Sequence, residues 1–127
     1  MKKVLIILLV IAVIAGIGGV AINSMTKNFE TYINNLVIEE VDLSSVGDGI
    51  YTGYSDSGVV KVRVEVIVKN HRFESIKILE HKNGKGKDAE SIINDIIKEQ
   101  RITVDVISGA TYSSLIIQDA LQKAFAN

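Results

Sequence analysis

The chain has no cysteine, no proline and no tryptophan in 127 residues. Without cysteine there is no disulfide, no thiolate metal site, no cysteine nucleophile and no lipid-modified N-terminal cysteine. Two histidines, His71 and His81, are all the imidazole there is. Neither stands with carboxylates at metal-ligand spacing, so a protein-bound metal is not expected. Charge of one sign is also missing. The formal net charge is −1 and no long basic run occurs. Nucleic acid is therefore not an expected partner. Setting aside Lys2, Lys3 and Lys27 from the 14 basic residues leaves 11 against 15 acidic, so the part beyond Lys27 carries −4. The carboxylate pair Glu39-Glu40 falls in a connector and suggests no acid–base site.

What is present begins with a long uncharged run, Val4 to Ile22, preceded by Lys2 and Lys3. Its length matches a helix crossing a bilayer. The positive-inside rule then keeps Met1-Lys2-Lys3 in the cytoplasm and puts the rest outside. A cleaved signal peptide is the rival, with Gly19-Val20-Ala21 as small residues for cleavage, but the run exceeds the usual apolar length of about 7–15 residues. Either way the domain is exported. Gly16, Gly18 and Gly19 offer a helix-packing face but are more simply tolerated in a lone anchor. The expected organisation is an N-terminal membrane anchor over 1–26, a juxtamembrane linker or helix over 27–45, and one domain over 46–127.

Phe29, Tyr32, Ile33 and Leu36 recur at helical spacing and read as a spacer helix. Asp48-Gly49 is a turn, and Ile50 to Tyr54 is a short β-prone run. Ser55-Asp56-Ser57-Gly58 is a second turn. Val60, Val62, Val64, Val66 and Val68 then alternate with mostly charged neighbours, the clearest strand in the chain. Asn70-His71 is a two-residue hairpin, which leaves His71 facing solvent. Arg72 to Glu80 returns as the partner strand, and its alternation slips near Ser75, where a bulge is expected. His81 to Lys87 is a basic, glycine-punctuated, solvated loop. Asp88 caps a helix whose stripe is Ala89, Ile92, Ile93, Ile96 and Ile97. The order β-β-β-α-(β)-α predicts an α+β fold: an N-terminal transmembrane helix, then a small antiparallel β-sheet domain with two packed helices.

The stretch Asp105 to Ser114 is the focus. Ile102 to Ile107 is a short strand or extended run. Ser108-Gly109 marks a turn. Leu115, Ile116, Ile117, Ala120, Leu121, Ala124 and Phe125 then recur at helical spacing. A helix that starts at about Thr111 presents backbone N–H groups without intrahelical partners, at the positive end of its dipole. Such a place suits a phosphate, and the N–H groups of Ser113 and Ser114 are candidates to hold it.

Asp105-x-x-Ser108-Gly109-Ala110-Thr111 resembles the flavinylation motif of the FMN-binding domain family. That family includes the flavin-carrying subunits C and G of sodium-pumping quinone and ferredoxin oxidoreductases, and carriers of extracellular electron transfer. Asp48-Gly49-Ile50-Tyr51-Thr52-Gly53 resembles the family's opening element. A valine-rich hairpin and then Ile78-Leu79-Glu80-His81 follow in the same order. The resemblance covers roughly Val46 to Phe125.

It implies covalent FMN on Thr111 through a phosphoester, made by a separate flavin transferase with FAD as donor. Gly109 lets the backbone turn tightly and Ala110 leaves room. Ser108 would bond the turn or the phosphate, and Asp105 would present the loop to the transferase. Tyr112, beside the attachment point, is a candidate to stack on the ring. Function would be electron transfer in an extracytoplasmic protein of the cell membrane, with a membrane redox protein as donor. The alternatives are a small subunit of an ion-pumping redox complex, or a binding or sensory module without flavin.

Overall fold

A computed structural model describes residues 2–82 and 87–126, with side chains described outside 17–25 and 87. Helix α1 spans Lys2–Asn35. A single 3-10 turn follows at Leu43–Ser45, capped by the Asp42 carboxylate, which accepts from the Ser44 N–H. The strands are β1 (Gly49–Asp56), β2 (Lys61–Lys69) and β3 (Arg72–Lys82), and the remaining helices are α2 (Lys87–Glu90), α3 (Ile92–Glu99) and α4 (Thr111–Ala124). The three strands form one antiparallel sheet in the order β1-β2-β3. The fold is α+β with helices packed on the sheet.

Alternation places every second β2 residue inward. Val62, Val64, Val66 and Val68 are buried to the last per cent. Each opposes a β1 residue in register, with Tyr51 against Val66, Gly53 against Val64 and Ser55 against Val62. The hairpin turn uses Asn70 and His71, both with positive φ (52° and 60°), as a two-residue turn of the strand-matching hand requires. Asp48 accepts from the Asn70 N–H and ties the start of β1 to that turn. The His71 ring is exposed, and its Nδ1 lies 3.0 Å from the Leu43 carbonyl and 3.1 Å from that of Val46. Two carbonyl partners put the proton on Nδ1. Register shifts fall between Ile67 and Val68, where Glu74 is the extra residue of β3, and between Arg63 and Val64, where Leu79 is.

Helix α4 lies along β1 and β2. As β1 advances, α4 retreats: Tyr51 meets Phe125, Gly53 meets Ala120 and Ala124, and Ser55 meets Asp119. The N-terminus of α4 therefore points toward the Asp56 end of the sheet. Ile116, Ile117 and Leu121 of α4 and Ile92 and Ile96 of α3 close the core. At the end of α3, Gln100 adopts φ 55°. Its amide bonds both the N–H and the carbonyl of Phe73, as a strand neighbour would.

Two expectations are corrected. The first is the transmembrane helix: among the described residues no helix is long and apolar enough to cross a membrane. In α1 the described apolar side chains run from Val4 to Ala15. The further part of the expected span, 17–22, lies outside the described side chains. Of the two readings of 102–107, short strand or extended run, the strand is not formed: the segment pairs with no strand. Side chains satisfy its backbone instead. Glu40 accepts from the N–H groups of Ile102 and Thr103, and Gln118 donates to the carbonyls of Ile102 and Val104. The second correction is the helix expected from Asp88 to about Gln100, which is broken at Ser91, with Asp88 inside the short α2 rather than at its cap. Residues 83–86 of the basic loop fall outside the description.

The end of α1, from Phe29 on, packs on the domain. Phe29, Tyr32, Ile33 and Leu36 lie against the core, as do Ile38, Val41, Leu43 and Val46 of the connector. Tyr32 donates to the Asp119 carboxylate. Asp119 is 1% exposed. It also accepts from Ser55 Oγ at 2.5 Å, Gln122 Nε2 at 2.7 Å and Lys123 Nζ at 2.9 Å. Burial pushes this carboxyl up, but those hydrogen bonds outweigh it and hold it below the ordinary carboxylate range.

Candidate functional site

The site is built where 102–110 meets the first turn of α4. The Ala110 N–H donates to the Ile107 carbonyl at 2.9 Å, closing a four-residue turn over Ile107-Ser108-Gly109-Ala110. Gly109 has φ +80° at its third position. A type II turn needs that conformation, and L side chains rarely adopt it. A Cβ there would meet no atom within 4 Å, so the demand for glycine is conformational. Ser108 and Gly109 are exposed, whereas Ala110 is buried.

Ser114 staples the turn to the helix. Its Oγ donates to the Ala110 carbonyl at 2.7 Å and accepts from the Ile107 N–H at 3.1 Å. Its own N–H donates to Ala110 at 3.0 Å. One turn further along, Gln118 holds Ile102 and Val104, each at 2.9 Å. From the other side comes Glu40, reaching Ile102 N at 2.8 Å and Thr103 N at 3.1 Å, with Thr103 Oγ1 also donating to it. Burial raises the Glu40 carboxyl, and the donors from Thr103 and Ile102 bring it below its ordinary value. The stretch before the turn is thus clamped between α4 and the connector.

Thr111 is the first helical residue and is exposed. The cap residue is Ala110, whose side chain makes no cap hydrogen bond. Most helices place a Ser, Thr, Asp or Asn oxygen there. Here the N–H groups of Thr111 and Tyr112 make no hydrogen bond among the described residues. The arrangement leaves donors and a dipole end facing outward beside a free hydroxyl, chemistry that fits an anionic ester.

The eight residues named from the sequence separate into four groups. Thr111, Ala110, Gly109 and Ser108 form the turn and helix start. Ser113 and Ser114 are buried beneath it, with the Ser114 N–H already engaged. Asp105 is exposed three residues upstream. Its charge helps to keep Arg101 protonated, an effect due first to the hydrogen bond and charge of Glu99 and then also to Glu40. Tyr112 is 56% exposed and meets Phe29 of α1 edge to face, with ring centroids 5.2 Å apart and planes at 80°.

Sequence reasoning missed Glu40, Gln118 and Phe29. Phe29 carried a signal in its helical spacing with Tyr32, Ile33 and Leu36. Glu40 and Gln118 carried none, because their partners lie 62 and 16 residues away.

Two further features stand near the motif or apart from it. The His81 side chain is 4% exposed, with Nδ1 3.4 Å from a Glu90 carboxylate oxygen. Its Nε2 is buried without a partner among the described residues. His81 opposes Val62, at the sheet end toward which α4 starts. A cavity of about 520 Å³ lies instead at the other end of α4, lined by Val41, Val46, Gln122, Lys123 and Phe125 among others. Gln122 is about 16 Å along the helix from Thr111, so this cavity is not part of the motif.

Among the described residues no group of His, Asp or Glu is arranged to hold a metal ion. A family model described as the FMN-binding domain matches residues 53–126, more than half of the chain. A comparison with curated proteins finds no match.

Proposed function

The chain belongs to the FMN-binding domain family, and from that premise we propose that Thr111 carries FMN covalently and that the domain is an electron carrier. One observation carries the proposal. The exposed Thr111 hydroxyl stands at a helix start capped by an alanine, inside the family-matched region, on a turn built to present it. The residues present fit the group. Unengaged N–H groups at Thr111 and Tyr112 can hold the one remaining negative charge of a phosphodiester. Gly109 and Ala110 bring no bulky side chain to the turn.

Attachment needs a partner, a flavin transferase with FAD as donor. The Thr111 hydroxyl loses its proton, and a bond forms between Oγ1 and the phosphorus bearing riboflavin. The bond from that phosphorus to the AMP half breaks, and AMP leaves. The chain contributes the acceptor oxygen and its presentation. FMN at this place supplies reversible transfer of one or two electrons. Glu40, Ser114 and Gln118 keep the turn in position, and the α4 dipole favours the anionic linkage.

We place the domain outside the cytoplasm, taking electrons from a membrane redox protein. The support is in the sequence, where Lys2-Lys3 ahead of an uncharged stretch matches the pattern read for export. A covalent bond also prevents loss of the cofactor to a dilute exterior.

The test is the mass of the intact protein after co-expression with an active transferase. Attachment adds one FMN less one water, and fragmentation assigns the addition to the peptide containing Thr111. An unchanged mass, with a control domain labelled in the same cells, removes the proposal.

A further inference from the structure

Tyr112 is a large aromatic left mostly in solvent, yet it is not loose. Its ring meets Phe29 edge to face at 5.2 Å. Phe29 sits on α1, outside the family-matched residues 53–126. Its helix is fastened to the domain one turn later, where the Tyr32 hydroxyl donates to the buried Asp119 and accepts from Lys123 Nζ at 2.9 Å. Ile33 and Leu36 add apolar contact with the core. The Tyr112 hydroxyl makes no hydrogen bond among the described residues. A T-shaped contact occupies one side of an aromatic ring and leaves the other available.

We infer that Phe29 and Tyr112 form an aromatic platform for the isoalloxazine ring, with Tyr112 in contact and Phe29 positioning it. The inference rests on the reading of Thr111 as the flavin attachment site. Tyr112 follows Thr111 directly and leaves the helix about 100° further round. A ring on a ribityl chain from Thr111 therefore has this surface as its nearest aromatic neighbour along α4. The helix preceding the family domain thereby becomes part of the cofactor site.

The experiment uses the full chain co-expressed with a flavin transferase, as parent and as Tyr112→Leu, Tyr112→Phe and Phe29→Leu. Covalent label is measured on a denaturing gel. Flavin fluorescence lifetime and midpoint potential are measured on native protein, and melting temperature reports folding. Tyrosine in contact with the ring quenches flavin emission. All four proteins are expected to carry label, with short-lived emission in the parent. Tyr112→Leu should lengthen the lifetime several-fold, toward the denatured value, and shift the potential. Phe29→Leu should give an intermediate lifetime, and Tyr112→Phe should restore the parental potential while relieving quenching. A labelled, folded Tyr112→Leu with parental lifetime and potential overturns the platform and leaves the attachment site standing. An unlabelled parent beside an active transferase removes both.

Discussion

Gly53 lies so close beneath α4 that a Cβ on it would fall 1.8 Å from the carbonyl oxygen of Ala120 and 2.7 Å from the nitrogen of Ala124. Both obstacles are backbone, so no rotamer change relieves them. Gly53→Ala should lift α4 from β1 and cost about 3 kcal/mol or more, the upper end of over-packing. Urea unfolding reads this directly. Gly47→Ala, where nothing lies within 4 Å, is the control. A Gly53→Ala protein as stable as that control would contradict the close approach.

Asp119 predicts an acid-sensitive fold. Its carboxyl is held below the ordinary range by Ser55, Tyr32, Gln122 and Lys123 against the effect of burial. A group depressed in the folded state contributes stability above its unfolded value, about 3.9 for Asp. That contribution is lost as pH falls through the folded value. Glu40 acts in the same direction. Asp119→Asn should cost about 2 kcal/mol near neutrality, because the buried hydrogen bonds from Ser55 and Tyr32 lose their charged acceptor. Its urea midpoint should then fall less steeply than the parent's below about pH 4. Parallel pH profiles for the two proteins would show that Asp119 is not the responsive group.

Glu40 holds the backbone that leads into the turn. Glu40→Ala leaves the Ile102 and Thr103 N–H groups without their acceptor. The carboxylate is exposed, so solvent screening limits the loss to about 1 kcal/mol. The clearer readout is local. Amide exchange should quicken at 102–107 while β2 stays protected. Uniform exchange across both would mean that Glu40 does not clamp this segment.

Gly109→Ala tests the turn without touching any neighbour. At φ +80° an alanine is strained by about 1–2 kcal/mol. The turn should relax to another conformation, with Thr111 no longer presented and attachment slowed. The initial rate of flavin incorporation measures it. Ser108→Ala, at an exposed neighbouring position, should incorporate faster than Gly109→Ala. Equal rates would remove the conformational role assigned to Gly109.

Much of the fold is legible in short-range pattern. The Val60–Val68 alternation shows β2, Asn70-His71 shows the hairpin, and Ser108-Gly109 followed by helical periodicity shows the turn and α4. What the pattern does not carry is long-range satisfaction of polar groups. Ile102 to Ile107 is apolar enough to look like a strand, and only the distant Glu40 and Gln118 show why it pairs with none. Gly53 is one letter of a motif until Ala120 is seen above it. The uncharged run after Lys3 has the length of a span as letters, yet no described helix meets that criterion. Phe29 reads as part of a spacer until its ring is found against Tyr112.

The most direct measurement is a denaturing gel under ultraviolet light, run on the chain co-expressed with an active flavin transferase, as parent and as Thr111→Ala. A fluorescent band in the parent that survives denaturation and is absent in Thr111→Ala is the expected result. A dark parental band beside a labelled control domain contradicts covalent attachment. A band that persists in Thr111→Ala places the flavin on another residue.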